Sequence, residues 1–300
     1  MNDTFERCGY VVLLGAPNAG KSTLLNRLTG AKISIVTHKT QTTRTRVIGM
    51  FVRGSSQILL VDTPGIFEPK RRFERAMVSA AWSGVTDADV KLLIVDASNP
   101  DFTNVNLIID ELSRAGHTAV LAINKIDKLK RSKLLSIVAK INANKTFSKT
   151  FLISGLNGDG VDDLVAFLGD SVPHGKWLYP SDQISDMNDR LFAAEITREK
   201  LFLQLHQELP YSLTVETVSW QERKDGSVRI EQVVYVTRPG HKGILLGKGG
   251  QQVKRIGAAA RRELELTLNK RVHLLIFVKV SKKWHDDAER YSAIGLKFYQ

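Results

Sequence analysis

The 300-residue sequence contains a single cysteine, Cys8. One cysteine cannot form an internal disulfide, which excludes the class of small domains held together by disulfides and fits a reducing compartment. Cys8 lies just before the apolar run from Tyr10 to Leu14, so we expect a buried and unreactive thiol.

Long hydrophobic runs are also lacking, because no apolar stretch approaches the roughly 20 residues that cross a bilayer. Residues 1–7 are polar and include two acidic side chains, unlike a signal peptide or a transit peptide. We therefore expect a soluble, cytoplasmic protein.

Acidic residues are scarce relative to basic ones, and the net charge is +12. Residues 237–300 hold 14 Lys or Arg against 5 Asp or Glu, a net charge of +9. Such an excess predicts a polyanionic partner, either nucleic acid or an anionic membrane surface, although a solvated basic face is the simpler alternative.

Residues 8–168 alternate between short apolar runs and amphipathic stretches, which predicts an α/β domain with a mostly parallel six-stranded sheet and helices on both faces. The six-residue gap after the second run is too short for a crossover, so this pair should be an antiparallel hairpin. The predicted strands are Tyr10–Leu14, Val47–Phe51, Ile58–Val61, Val90–Val95, Thr118–Ile123 and Thr150–Ile153. The predicted helices are Lys21–Leu28, Phe73–Gly84, Val105–Ala115, Ser132–Ile141 and Val161–Leu168.

The stretch Gly169–Asp182 carries two prolines and shows little periodicity, which predicts a linker. We place a first domain at 1–172, the linker at 173–185 and an α+β domain at 186–300. The elements expected in the second domain are a helix near Asn188–Gln207, strands Ser212–Glu222 and Ser227–Val236, a glycine-rich loop preceded by a helix, a helix Gln252–Leu268 and a strand Val272–Val280.

Residues 15–22, GAPNAGKS, match the P-loop pattern GxxxxGK[ST] between a predicted strand and a predicted helix. Glycines allow backbone N–H groups to surround phosphates, Lys21 reaches the β and γ oxygens, and the Ser22 hydroxyl coordinates Mg²⁺. Asp62 and Gly65 of the sequence DTPG follow the third strand. There, a carboxylate can hold Mg²⁺ and a backbone N–H can meet the γ-phosphate.

The sequence NKID at 124–127 ends the fifth strand and predicts the identity of the base. The Asp127 carboxylate can accept from the N1–H and 2-amino groups of guanine, which adenine lacks, so a discrimination on the order of 10⁴ is available. Asn124 would support the base and the P-loop, the Lys125 stem would lie against the purine, and residues 154–156 would offer a backbone N–H to the 6-oxo group. The predicted GTP-binding residues are Gly15, Asn18, Ala19, Gly20, Lys21, Ser22, Thr23, Asp62, Gly65, Asn124, Lys125, Asp127, Ser154, Gly155 and Leu156.

A second glycine loop lies in the basic C-terminal part, where residues 247–250 read GKGG between two predicted helices. The order α-β-β-α-α-β around this loop is that of a type II KH domain, in which the loop holds about four nucleotides of single-stranded nucleic acid. A lone GxxG is a weak signal and matches many helix–helix turns. The predicted RNA-binding residues are Lys242, Ile244, Gly247, Lys248, Gly249, Gly250, Val253 and Lys254. Of the apolar residues, Ile244, Val253 and Ile256 are expected to form an apolar floor under the bases.

Together these motifs resemble the Era-type GTPases, a bacterial ribosome-assembly family within the translation-factor-related class. The resemblance covers nearly the whole chain and includes the QTTR sequence at 41–44. It implies that a switch I threonine, either Thr42 or Thr43 with Thr43 preferred, binds Mg²⁺ and senses the γ-phosphate. It also implies GTP/GDP and Mg²⁺ as ligands, and catalysis by Lys21, Thr43 and Gly65.

Three positions refine what the resemblance implies. Ile66 stands where many GTPases have a water-orienting glutamine, so we expect slow intrinsic hydrolysis that a partner accelerates. Asn18 resembles the position that coordinates K⁺ in potassium-activated relatives, and a turn-forming asparagine is the alternative. Gly155 replaces the alanine that is usual in relatives, which should cost little.

The resemblance implies binding to the 3′ end of small-subunit (16S) rRNA and to the 30S subunit during its assembly, and no DNA is expected. The residues themselves indicate GTP and suggest RNA, but do not name the RNA. A GTP-gated RNA-binding scaffold with negligible hydrolysis stays an alternative. A regulatory GTPase with a peripheral inner-membrane fraction is another.

Overall fold

A computed structural model describes residues 6–143, 146–282 and 284–298. The chain divides into two compact units, each with its own core. The first comprises the described residues up to Ser34, residues Thr43–Asp186 and the described residues from Gly295 on. The second comprises Ile35–Thr42 and Met187–Ile294, so a short segment from within the predicted first domain belongs to the second unit.

The first unit is built on a six-stranded sheet with the order β2-β3-β1-β4-β5-β6. Only β2 and β3 pair antiparallel, as the short gap between them predicted. Every residue of β3 is buried, as expected for a central strand covered on both faces. The strands are β1 (Arg7–Leu14), β2 (Val47–Arg53), β3 (Ser56–Asp62), β4 (Val90–Asp96), β5 (Ala119–Asn124) and β6 (Phe147–Leu152).

Amphipathic helices cover this sheet, and their apolar residues complete the core. The helices are α1 (Lys21–Thr29), α2 (Arg72–Asp87), α3 (Thr103–Arg114), α4 (Arg131–Asn142) and α5 (Val161–Ser171). Because β1, β3 and β5 are parallel, their C-terminal ends share one edge of the sheet, where α/β proteins bind ligands.

Several element boundaries differ from the sequence-based expectation, and two of them have a clear physical reason. Strand β6 begins three residues before the predicted strand because the edge of the sheet tolerates the exposed polar residues Ser148 and Lys149. Helix α5 continues past the predicted end at Leu168, since Gly169 is buried in its last turn and the helix stops only before Pro173.

The predicted linker is ordered along the first unit. The Cys8 N–H donates to the Pro173 carbonyl at 3.1 Å, and the Met50 N–H donates to the Ile184 carbonyl at 2.8 Å. Cys8 itself is buried, as predicted, and burial raises the pKa of its thiol.

The second unit has the predicted α-β-β-α-α-β order, followed by a helix that was not predicted. Its sheet has the order β7-β8-β9, in which β7 and β8 are antiparallel and β8 and β9 are parallel. The elements are α6 (Asp189–Gln204), β7 (Leu213–Glu222), β8 (Val228–Val236), α7 (Pro239–Leu246), α8 (Gln251–Leu268), β9 (Val272–Val280) and α9 (Ala288–Ala293).

The segment Ile35–Thr42 is held by α6 within this second unit. Ile35 is buried in the core beside residues of α6. The Val36 N–H donates to the Glu199 carboxylate at 3.0 Å, and the Arg198 guanidinium donates to the Thr42 carbonyl. The backbone just before Thr43 therefore has fixed partners.

Trp284 is buried in the second unit, and its indole N–H donates to the Ser212 carbonyl at 3.2 Å. Among the described residues, no helix has both the length and the apolar composition needed to span a membrane.

Candidate functional site

The P-loop turns tightly between β1 and α1. Gly20 has φ 101°, and a Cβ added there would lie 2.2 Å from Asn124 Nδ2. A Cβ added at Gly15 would lie 2.5 Å from the Ile94 carbonyl oxygen. Both positions therefore require glycine. Helix α1 begins at Lys21, directly after this turn, which creates the helix N-terminus that favours an anion.

The Lys21 ammonium is buried against the backbone of the P-loop. Its Nζ donates to the Gly15 carbonyl at 3.1 Å and the Ala16 carbonyl at 3.3 Å. Burial lowers the pKa of Lys21 to about 8, and the nearby Asp62 carboxylate opposes that shift. Phosphate oxygens would replace two neutral carbonyls with charged acceptors, which form stronger hydrogen bonds.

The Asp62 carboxylate is surrounded by three hydroxyl groups. Its Oδ2 accepts from Ser22 Oγ at 2.7 Å, from Ser34 Oγ at 2.9 Å and from Thr43 Oγ1 at 3.3 Å. Ser22 Oγ and Thr43 Oγ1 lie 3.0 Å apart. Burial raises the pKa of Asp62, while Lys21 and the hydroxyls oppose this change.

The second oxygen of Asp62, Oδ1, is buried and has no hydrogen-bond partner within the described part of the chain. A buried acceptor without a partner costs about 1–3 kcal/mol. A carboxylate and two hydroxyls are hard oxygen ligands of the kind that Mg²⁺ prefers. The residues present therefore fit a Mg²⁺ site made by Ser22, Thr43 and Asp62.

The two candidate switch I threonines have different surroundings. Thr43 is buried against Ser22 and Asp62, as described above. Thr42 Oγ1 instead donates to the Lys39 carbonyl at 2.8 Å and lies 2.8 Å from Thr37 Oγ1. This geometry favours Thr43 as the Mg²⁺ ligand.

Ser34 belongs to the same cluster, although the sequence motifs did not indicate it. The Asn26 side chain holds its backbone, because Nδ2 donates to the Ser34 carbonyl at 2.7 Å and Oδ1 accepts from the Ser34 N–H at 2.9 Å. No spacing pattern identifies such a serine, since it approaches Asp62 only through tertiary structure.

Gly65 lies directly against the P-loop, since a Cβ added to it would be 2.8 Å from the backbone N and Cα of Pro17. The next residue, Ile66, is buried and its N–H donates to the Gly15 carbonyl at 3.1 Å. A buried apolar side chain at this position cannot orient a water molecule, so positioning and charge must supply the catalysis.

Asn124 connects the P-loop with the predicted base-binding loops. Its Nδ2 donates to the Ala19 carbonyl at 2.9 Å, and its Oδ1 accepts from the Gly155 N–H at 2.8 Å. Ala19 is buried, and Thr23 lies half-buried in the first turn of α1. The predicted support of the P-loop by Asn124 is therefore present in the geometry.

Asp127 is exposed at the end of β5, and its Oδ1 accepts from Ser154 Oγ at 2.6 Å. This bond holds one oxygen of the carboxylate in place. Gly155 does not need to be glycine, because the nearest atom to an added Cβ is Asn124 Oδ1 at 3.4 Å. The Leu156 side chain is exposed, and its carbonyl accepts from the Arg27 guanidinium.

Lys125 adopts a left-handed conformation with φ 63°. Its ammonium donates to the Asn18 carbonyl at 2.7 Å and to Asp96 Oδ2 at 2.6 Å, so its stem runs beside the P-loop. Sequence reasoning missed Asp96, and it also missed Arg27, whose Nε donates to the Gly155 carbonyl at 2.8 Å. Asn18 is left-handed too, with φ 63°, which accounts for an asparagine as a turn residue.

The glycine loop of the second unit, Gly247–Gly250, joins α7 to α8. Gly247, Gly249 and Gly250 all have positive φ, at 70°, 59° and 76°. A Cβ at Gly247 would lie 2.8 Å from Gln252 Cβ, whereas no atom lies within 4 Å of a Cβ at Gly249 or Gly250. The loop is therefore open on the side where a sugar-phosphate chain could approach.

Most of the predicted RNA-binding side chains surround this loop. Lys248 and Lys254 are exposed and Lys242 is half-buried. Val253 packs partly buried against the core, next to Leu246 and Ile276. The remaining predicted RNA-binding side chain, Ile244, is 61% exposed.

The prediction that Ile256 forms part of the apolar floor under the bases is wrong. Ile256 is fully buried in the core of the second unit, where it packs with residues of α6, β7 and β8. Because none of its surface is exposed, Ile256 has no surface to offer to a base.

Comparison with known families finds two matches in this chain. Residues 10–125 match the family described as 50S ribosome-binding GTPase, and residues 208–285 match the KH domain family. The chain is 55% identical to the GTPase Era of Brucella suis over 98% of its length and 95% of that protein. It is 52% identical to the GTPase Era of Rhizobium meliloti over 97% of its length and 93% of that protein.

Two solved structures resemble nearly the whole chain, both at 36% identity and a TM-score of 0.90. One is a point variant of Aquifex aeolicus Era bound to GDP·AlF₄⁻, which matches 96% of this chain and 99% of that one. The other is Era in complex with MgGDPNP and nucleotides 1506–1542 of 16S ribosomal RNA, which matches 97% of this chain and 99% of that one.

The substitution Asp127→Asn should weaken GDP binding by about 100-fold, because an amide cannot accept from both guanine donors. The same variant should gain affinity for a xanthine nucleotide, whose 2-oxo group can accept from the new amide. Calorimetric titration with both nucleotides measures this exchange. Gly155→Ala is the matched control and should change GDP affinity less than twofold, and unchanged GDP affinity in Asp127→Asn would refute the assignment.

The substitution Asp62→Asn should raise the Mg²⁺ concentration needed for half-maximal GTP hydrolysis by about tenfold or more. The reason is that the buried cluster loses its only carboxylate. Asp110→Asn, on the exposed face of α3, removes the same charge elsewhere and should leave the Mg²⁺ requirement unchanged. Equal Mg²⁺ requirements in both variants would contradict a metal site at Asp62.

Proposed function

This chain is a member of the GTPase Era family, and we propose that it couples GTP hydrolysis to binding of the 16S rRNA 3′ end during assembly of the 30S subunit. The observation that carries the proposal is the full-length similarity, at a TM-score of 0.90, to an Era structure that holds both MgGDPNP and this RNA. The chain contributes a complete set of GTP motifs in one unit and an open glycine loop in the other.

In the proposed reaction, the P-loop amides and Lys21 hold the β and γ phosphates of GTP, and Asp127 selects guanine. Ser22, Thr43 and Asp62 would hold Mg²⁺, which neutralises charge on the phosphate oxygens when it is bound. The N–H of Gly65 faces the γ-phosphate, and Thr43 reports the presence of that phosphate to the segment before it. Since Ile66 cannot orient water, hydrolysis stays slow until a partner orders the site.

RNA binding is assigned to the KH domain. The backbone of Gly247–Gly250 lies against the sugar-phosphate chain, Lys248 and Lys254 contribute charge, and Val253 contacts bases. We keep the sequence-based boundaries, with GTPase activity in 1–172, a connecting segment at 173–185 and RNA binding in 186–300. The proposed compartment is the cytoplasm.

The alternatives concern the partner and the ion. The family whose description names the 50S subunit matches only residues 10–125 of this chain. The Era structure that holds 16S rRNA, a component of the 30S subunit, matches 97% of it. We therefore propose the 30S subunit as the partner. Binding to 30S particles, 50S particles and anionic liposomes at one salt concentration separates the ribosomal partners from a peripheral membrane fraction. Comparing hydrolysis in KCl and NaCl at equal ionic strength decides whether Asn18 serves a K⁺ ion.

Replacing Lys248 and Gly249 by aspartate should weaken binding of the 16S rRNA 3′-end oligonucleotide at least tenfold. The change at Lys248 replaces a positive charge by a negative one, and the change at Gly249 adds a charged side chain in the path of the RNA backbone. Fluorescence anisotropy with the non-hydrolysable analogue and with GDP measures this, and wild-type binding should be tighter with the analogue. Intrinsic hydrolysis by the variant should be unchanged, which controls for folding, and unaltered RNA binding would contradict the assignment.

Single-turnover hydrolysis of GTP by the isolated protein should be slow and should accelerate when 30S subunits and RNA are added. The absence of a water-orienting side chain at Ile66 is the reason. Fast hydrolysis without any partner would contradict this mechanism. The complete absence of turnover, with and without partners, would favour a GTP-gated scaffold.

A further inference from the structure

We propose that the KH domain binds one additional RNA nucleotide in a pocket beside the glycine loop. This inference rests on the proposed function. The pocket, here called the side pocket, has a volume of about 480 Å³ and belongs entirely to the second unit. Its walls are the loop between α6 and β7 (residues 204–209), His241 and Ile244 of α7, and Gln252 and Arg255 of α8.

The side pocket adjoins the glycine loop and shares Ile244 with the predicted apolar floor, but its other lining residues lie outside that floor. Gln252 lines the pocket, and its Cβ also fills the space in which a side chain at Gly247 would lie. Leu246, Val253 and Ile276 pack against the core and do not line the pocket. A strand of RNA that passes the glycine loop therefore meets the side pocket at the loop itself.

The shape of the pocket is fixed before any ligand arrives. Leu205 and Leu209 are buried in the core and anchor both ends of the 204–209 loop. Between them, Gln207 has φ 55°, a left-handed turn that carries the intervening residues outward. A preformed pocket of this size can enclose a drug-sized ligand such as a nucleotide without large ordering costs.

Arg255 supplies a positive charge that no carboxylate neutralises within the part of the chain that the structure describes. Its Nε donates to Gln204 Oε1 at 3.0 Å, and its Nη2 donates to Gln252 Oε1 at 2.9 Å. Two neutral amides thus orient the guanidinium while its charge stays available to a phosphate. Such an exposed and oriented arginine is a common phosphate ligand.

The other lining groups suit a nucleobase better than a second phosphate. Ile244 is 61% exposed, and it stands with His206 and His241, side chains against which a base can stack. Glu208 is the acidic residue of the lining, and a carboxylate there repels phosphate but accepts from an exocyclic amino group. The combination indicates a nucleotide whose base carries an amino group.

The test measures RNA affinity as a function of RNA length in the full-length protein. The probes are a four-nucleotide single strand that fills the glycine loop and the same strand extended by three nucleotides at each end. Arg255→Gln and His206→Ala should weaken binding of the longer RNA about tenfold and leave the four-nucleotide RNA within twofold. Arg262→Gln removes the same charge from an exposed position on α8 outside the pocket and should have less than a twofold effect on either RNA.

Two outcomes would overturn the inference. Equal losses in Arg255→Gln and Arg262→Gln would mean that α8 acts only through its general charge. Losses of the same size for the short and the long RNA would mean that Arg255 and His206 support the glycine loop and not a separate nucleotide. Unchanged GTP hydrolysis and thermal unfolding in each variant control for folding.

The Lys248 and Gly249 aspartate variant separates this inference from the proposed function. If that variant loses RNA binding while Arg255→Gln does not, the KH assignment stands and the side pocket fails. If neither variant loses RNA binding, the RNA-binding function itself fails.

Discussion

The nucleotide site depends on one side chain, Asn124, which holds together loops that are more than 100 positions apart in the sequence. Its amide donates to the P-loop carbonyl of Ala19 and accepts from the N–H of Gly155. The parallel sheet makes this contact possible because it brings the end of β5 to the same edge as the end of β1. Phosphate recognition and base recognition are thus fixed relative to each other by two hydrogen bonds.

That rigid frame encloses charges that the protein alone stabilises poorly. Lys21 and Asp62 are both buried. Burial lowers the pKa of Lys21 and raises the pKa of Asp62, so it favours the neutral form of each group. Hydroxyls of Ser22, Ser34 and Thr43 satisfy one carboxylate oxygen, but Asp62 Oδ1 has no partner in the described residues. Phosphate oxygens would pair with the Lys21 ammonium, and Mg²⁺ would pair with the Asp62 carboxylate. Both would offset the free-energy cost of burying these two charges, so the site is organised for its ligand.

The sequence predicted the parts of this arrangement that depend on local pattern. Strand and helix periodicity gave the sheet, and the glycines of the P-loop and of the glycine loop could be located because a positive φ or a close approach leaves few other choices. Ser34, Asp96 and Arg27 were missed since each acts through a contact that only the tertiary fold creates. Ile256 was misassigned because the sequence alone did not show which apolar residues of α8 face the sheet and which face the loop.

The two glycine turns show how one local structure can suit two kinds of polyanion. Gly20 and Gly250 both adopt positive φ directly before a helix, at 101° and 76°. At Gly20 the space beside the backbone is closed, with Asn124 Nδ2 only 2.2 Å from an added Cβ, whereas at Gly250 nothing lies within 4 Å. A closed turn can surround the compact phosphates of one nucleotide, but an open turn lets a continuous strand enter and leave. The two turns thus share a positive φ and differ in enclosure, which fits the proposal that one holds a nucleotide and the other RNA.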